Sequence, residues 1–188
     1  MRTYTAEEFA ELYDEVRAEL VRGVVEVRDS PGTPHGWVAT EMVVAIYKYL
    51  ESHPIGSVMV DVDHVLERGP DTVRRPDVSF MSNARGAGTP PRKMFEFSPD
   101  LPIEVVSPSN RLAAITKKLA EYFRTGARMV WIANPKNRTV TVHAPDAVPY
   151  VLGMGEILDG GDVLPGFRVP IDKLFREPFS HVAKDAPG

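Results

Sequence analysis

The sequence predicts one mixed α/β domain. Apolar residues recur at helical spacing in some stretches and alternate, or run unbroken, in others. Clusters of Pro, Gly, Ser and Asn separate these stretches. With 43% hydrophobic and 26% charged residues, the chain has the balance of a folded globular protein. Its 188 residues suffice for a core without staples. No repeat, low-complexity tract or linker divides it, so residues 1–188 are read as a single domain with a core of about 5–175 and a tail of 176–188.

Thr5 with Glu8 forms a capping box, which predicts a short helix to about Tyr13 with Phe9, Leu12 and Val16 on its apolar face. Glu19–Val21 and Val24–Val27 flank Arg22-Gly23, the pattern of an N-terminal hairpin. After the break Ser30-Pro31-Gly32-Thr33-Pro34, the stretch from His35 to about Glu51 has the longest helical pattern, with Val38, Met42, Ala45, Ile46, Tyr49 and Leu50. Val58–Leu66 and Val73–Met81 are predicted as strands joined by a loop, and 82–99 as a long polar loop. Leu101–Val106 reads as a short strand carrying Glu104. Ser107-Pro108-Ser109-Asn110 then caps a helix from Arg111 to about Thr125, which Gly126 closes. C-terminal hairpins follow. Arg128–Ala133 and Arg138–Ala144 surround a turn at Asn134-Pro135-Lys136-Asn137, with further strands near Tyr150–Leu152 and Glu156 and a last helix over Ile171–Phe175.

Composition excludes some chemistry. There is no Cys, so disulfides, thiolate catalysis and Cys-ligated zinc are out, and a reducing, cytoplasmic setting is expected. The N-terminus lacks the apolar core of a signal peptide, and no run reaches the roughly 18 apolar residues of a membrane span, so no membrane partner is expected. No Gly-rich phosphate loop, paired-His zinc motif or Gly-x-Ser-x-Gly elbow is present. The net charge of −4 hides an asymmetry. Residues 1–72 hold 6 basic and 14 acidic side chains, residues 73–128 hold 10 and 5, and residues 129–188 hold 6 and 7. A basic middle third can attract phosphate, or be only a solvated face.

Three residues stand out. Glu104 lies among Leu101, Ile103, Val105 and Val106, so its carboxylate is buried and must be ion-paired, protonated or metal-bound. Asp77, after Arg75-Pro76, either ends a strand or joins Glu104 in a hard oxygen site suited to Mg²⁺ or Mn²⁺. On a helical wheel Lys118 lies roughly 90° from the centre of the arc Leu112, Ile115, Leu119, Tyr122 and Phe123, and Lys117 roughly 170°. Lys117 therefore points to water, while Lys118 either snorkels or turns back towards the sheet.

At Arg75-Pro76-Asp77-Val78, at 99–109 (Pro-Asp-Leu-Pro-Ile-Glu-Val-Val-Ser-Pro-Ser), and at Lys118-x-x-x-Tyr122-x-x-x-Gly126 the chain resembles the Uma-type restriction-endonuclease family, long catalogued as a domain of unknown function, within the PD-(D/E)xK nuclease superfamily. Arg17-Ala18-Glu19-Leu20-Val21-x-Gly23, His35, Val130–Pro135 and Arg138–Val142 extend the likeness over roughly residues 5–175. It departs at Ala114, at Ala18 and at 128–130.

The resemblance implies a restriction-endonuclease-like core, a mixed central β-sheet flanked by helices. It makes Asp77, Glu104 and the Val105 carbonyl ligands of Mg²⁺ or Mn²⁺, Lys118 the catalytic lysine in place of the usual position now held by Val106, Glu19 an auxiliary acid and His35 a weaker neighbour. The implied activity is metal-dependent hydrolysis of nucleic-acid phosphodiesters, of DNA first, by a homodimer. Arg75, Arg85, Arg92, Lys93 and Lys117 are expected to contact phosphate, with 82–99 as a clamp. The competing reading is an inactive protein of this fold that binds nucleic acid or a protein partner.

Overall fold

The structure, a computed structural model, describes residues 2–13, 15–88, 93–107 and 112–176. Helix α1 (Ala6–Leu12) begins at the expected capping box: the Thr5 hydroxyl accepts from the Glu8 N–H, and the Glu8 carboxylate accepts from the Thr5 N–H. Its buried residues are Ala6, Phe9 and Ala10. Leu12 lies about 110° from the centre of that arc and is exposed, and Val16 falls beyond the helix end. Strands β1 (Ala18–Val21) and β2 (Val24–Val27) form the hairpin. Arg22 and Gly23 turn it with φ of 50° and 78°, the positive pair that a tight hairpin turn needs.

Helix α2 (Thr33–Ser52) starts with Pro34 in its first turn and buries His35, Val38, Met42 and Ile46 along one face. Two expected strands each prove to be two. Residues 58–66 divide between β3 (Gly56–Val60) and β4 (Asp63–Glu67), and 73–81 between β5 (Thr72–Arg74) and β6 (Val78–Ser82). Asp61 has φ of 48°, outside the extended region, and Pro76 has no N–H for a ladder. The chain changes sheets at each break. The expected loop 82–99 contains β7 (Met94–Phe95), two buried apolar residues paired in parallel with β4.

Next come β8 (Leu101–Val105), α3 (Leu112–Arg124), β9 (Val130–Asn134), β10 (Thr139–His143), β11 (Tyr150–Leu152), β12 (Ile157–Asp159), β13 (Arg168–Pro170) and α4 (Ile171–Leu174). Most of the expected cap at 107–110 lies outside the described residues. Strand β13, too short to show a period, pairs with β12 ahead of α4.

One sheet has the order β11-β10-β9-β8-β6-β3, and another has β2-β1-β5-β4-β7. The six-stranded sheet is mixed, because β8 and β9 run parallel while its other pairs are antiparallel. Leu101, Ile103 and Val105 of β8 and Trp131 and Ala133 of β9 pack with Val38, Met42 and Ile46 of α2. Val130 and Ile132 of β9 pack on the other face with Tyr122 of α3. The five-stranded sheet packs Leu20, Val65 and Val73 against Ala6 and Phe9 of α1. Among the described residues no helix is long and apolar enough to cross a membrane.

Candidate active site

Sheet register brings the two leading acids together. In the antiparallel pair β6·β8, Val78 lies opposite Ile103, and both enter the core under α2. The next position on each strand points to the other face, so Asp77 and Glu104 emerge side by side. Asp77 Oδ2 accepts the Val105 N–H at 2.7 Å and lies 3.1 Å from His35 Nε2. Its Oδ1 accepts from Arg17 Nη2 at 2.7 Å. His35 reaches Asp77 from the first turn of α2, on the face that also buries Val38.

Glu19 comes from the other sheet. Ala18 and Leu20 face the core under α1, so alternation along β1 turns Glu19 the opposite way. Helix α3 closes the third side with Lys118, Glu121 and Tyr122, neighbours at three- and four-residue spacing on one face. Lys118 is 7% exposed and Lys117 lies in solvent, as the wheel expected. Lys118 Nζ donates to both oxygens of Glu104 at 2.9 Å and stands 2.8 Å from Glu19 Oε1. The Tyr122 hydroxyl donates to Glu104 Oε1 at 2.8 Å.

Four residues of this network carried no site signal in the sequence. Arg74 bridges Glu19 at 3.0 Å and Glu121 at 2.6 Å. Arg17 binds Asp77, and Arg28 reaches Glu19 at 3.4 Å and Glu104 at 3.7 Å. Arg17 and Arg28 flank the hairpin, where the pairing of β1 with β2 was the only available clue.

Burial and charge act in opposition here. Burial penalises the Glu19 anion, but Lys118, Arg74 and Arg28 outweigh it and lower its pKa to about 2. Burial also works against Asp77, whose pKa nevertheless falls because His35, the Val105 N–H and Arg28 favour the anion. For Glu104 burial dominates. Its pKa rises, with Asp77 and Glu19 pushing the same way and Lys118 and Arg28 opposing. The Tyr122 hydroxyl, buried beside Glu104, is held well above its ordinary range.

Arg17, Glu19, Arg28, His35, Lys117 and Lys118 line a cleft of about 550 Å³. Asp77 and Glu104 are 3% and 5% exposed, and Asp77 lines a second pocket that shares Arg17 and His35 with the first. Among the described residues no three acids or histidines are gathered as metal ligands. The oxygens of Asp77, Glu104 and Glu19 are of the hard type that Mg²⁺ and Mn²⁺ prefer, and cationic side chains now occupy them. The set fits such an ion once the guanidinium groups of Arg17 and Arg28 withdraw from it.

The basic residues expected on phosphate divide. Arg75 holds both oxygens of Asp63 at 2.7 and 2.6 Å. Arg85 ties Asp100 to the carbonyls of Ser98 and Gly126 at 3.1, 3.1 and 2.6 Å. Both are anchors between strands and loops. Lys93 and Lys117 are exposed, and Arg92 lies outside the described residues.

Residues 6–172 match the family model Uma2, described as "Putative restriction endonuclease". A crystal structure described as that of a putative nuclease belonging to DUF820, from Anabaena variabilis ATCC 29413, matches the chain with a TM-score of 0.81. The match has 22% identity and covers 92% of this chain and 97% of that one. The shared architecture is the restriction-endonuclease-like fold, with mixed sheets flanked by helices. No curated protein is significantly similar to the chain.

Proposed function

The chain belongs to the Uma2 family of putative restriction endonucleases, and from that premise we propose that it is a metal-dependent endonuclease hydrolysing phosphodiester bonds of nucleic acid, DNA first. The observation that carries this reading is the convergence of Asp77 and Glu104 on one sheet face with Lys118 2.9 Å from Glu104. Asp77, Glu104 and the Val105 carbonyl would hold Mg²⁺ or Mn²⁺, which supplies charge to a phosphate oxygen and acidifies a water.

Lys118 is a compact buried cation, suited to the extra negative charge that builds on phosphorus as water adds. The water oxygen joins phosphorus, the ester P–O bond breaks, and a proton of the water ends on the leaving oxygen. Tyr122 fixes the carboxylate plane of Glu104 and His35 that of Asp77, and Glu19 holds Lys118 in place. Lys93 and Lys117 would contact the backbone. A homodimer would set one site on each strand of a duplex. The setting is the cytoplasm, in keeping with a chain without Cys.

A second reading has one observation in its favour: every carboxylate of the network is already matched by a cation, as in an inactive nuclease fold that only binds. Incubation with plasmid DNA in Mg²⁺ or Mn²⁺ separates the two. The endonuclease cuts with metal, stops with chelator, and is lost in Asp77→Ala, Glu104→Ala and Lys118→Ala. An intact plasmid under all metal conditions, with retained salt-sensitive binding, supports the binding module instead.

A further inference from the structure

Guanidinium and metal compete for the same carboxylates. Glu19, Asp77, Glu104 and Glu121 are matched by Arg17, Arg28, Arg74 and Lys118, one cation for each acid. A divalent ion added to this set leaves two uncompensated positive charges in a buried place, which a protein interior resists. Two of the cations must leave, and the geometry indicates which.

Arg74 and Lys118 are held at 2.6–3.0 Å and their side chains are 3% and 9% exposed. Arg28 lies no nearer than 3.4 Å to Glu19 and 3.7 Å to Glu104. Arg17 and Arg28 keep 23% and 17% of their side chains exposed, and both line the cleft. Arg17 makes a short contact with Asp77, yet its buried Nε has no partner. The two arginines face each other just past the last pair of the hairpin, the Arg28 N–H donating to the Arg17 carbonyl at 2.8 Å. They can therefore act as one unit.

Resting on the nuclease reading above, we infer that Arg17 and Arg28 are ligands of the nucleic-acid backbone phosphates and that, in the free protein, they cover the carboxylates a metal would use. Phosphate draws the two guanidinium forks outward, for which their planar donor geometry is suited. Their departure removes two positive charges and leaves room for a divalent ion at no net change in charge. Metal and nucleic acid then bind cooperatively, each strengthening the other by the same factor.

The test is calorimetric titration of the full chain with Mn²⁺, with and without a short duplex of hydrolysis-resistant phosphorothioate linkages. The wild type is expected to bind Mn²⁺ about tenfold or more tightly with the duplex present. The Arg17→Ala/Arg28→Ala variant should bind Mn²⁺ tightly without it, gain nothing from it, and bind the metal-free duplex more weakly. Circular dichroism and melting establish that the variant is folded. Should it not fold, Arg28→Gln replaces the more loosely held residue and is expected to show the same changes in smaller measure. Equal Mn²⁺ affinity of the wild type with and without duplex, or unchanged duplex affinity in a folded variant, overturns the inference while leaving the nuclease reading standing. No Mn²⁺ binding to any form, with or without duplex, overturns both.

Discussion

The ammonium group of Lys118 lies 2.9 Å from both carboxylate oxygens of Glu104, with the two residues on elements that the chain folds separately, α3 and β8. Each is buried, and removing either takes a hydrogen-bonded ion-pair partner from the other. Replacing Lys118 by Met should destabilise the protein by about 3–5 kcal/mol, the cost of orphaning a buried charge. In urea unfolding the double variant Lys118→Met/Glu104→Gln should lose less than the sum of the two single variants. Strict additivity would mean that the pair is not coupled.

Removing the Tyr122 hydroxyl tests how firmly Glu104 is held. It donates to Glu104 Oε1 at 2.8 Å from a fully buried ring. Tyr122→Phe should cost about 1.5–3 kcal/mol, the range for a hydrogen bond to a charged group. It should weaken cleavage less than Glu104→Gln does. A variant as stable as the wild type in urea would show the contact to be energetically idle.

Much of this site could be anticipated, and the reasons differ by residue. Helical geometry settled that Lys117 faces water but left Lys118 two options, and the family resemblance picked the one that faces the sheet. Burial marked Glu104 as a carboxylate that must be paired, protonated or metal-bound, and the resemblance, not burial, chose among these. The ion-pair partners did not follow. Arg74 and Glu121 meet across 47 positions of sequence, and no local period encodes a contact at that separation. The break between β5 and β6 was written in Pro76, yet which sheet each half joins depends on tertiary pairing. Arg17 and Arg28 came into view only when β1 and β2 closed their hairpin. Arg75 and Arg85, read from charge as phosphate contacts, turned out to have carboxylates of their own.

Those two arginines and the two exposed lysines should therefore respond differently to substitution. Lys93→Ala and Lys117→Ala are expected to leave the melting temperature unchanged and to reduce the salt slope of duplex binding by about 0.9 per lost phosphate contact. Arg85→Ala leaves Asp100, 2% exposed, without its guanidinium and should cost about 3 kcal/mol or more. Equal stability of all three variants would contradict this division.

His64, the cross-strand partner of Arg74, sets a pH response of its own. It is fully buried, stacks on Phe95 at 5.4 Å and bonds the Phe97 carbonyl through Nδ1 at 2.9 Å. Burial lowers its pKa from 6.5 to about 4 against the smaller opposing effect of that carbonyl. Between those values the unfolded chain takes up a proton that the folded chain refuses, so stability falls as pH drops from about 6.5 towards 4, by about 3 kcal/mol. Glu19 extends the loss at lower pH, from its ordinary 4.5 down to about 2. His64→Phe should flatten the upper window, leaving the smaller slope due to His143, which burial also lowers. An unchanged slope between pH 6.5 and 4 in that variant would contradict the assignment.

Asp77 and Glu104 would hold one divalent metal between them. The decisive experiment titrates the folded protein with Mn²⁺ in the presence of a phosphorothioate duplex, beside Asp77→Asn and Glu104→Gln. The wild type should bind about one ion per chain, in line with a carboxylate pair that shares a site, and neither variant any. Absence of binding to the wild type at millimolar Mn²⁺, or binding that survives both substitutions, would contradict it.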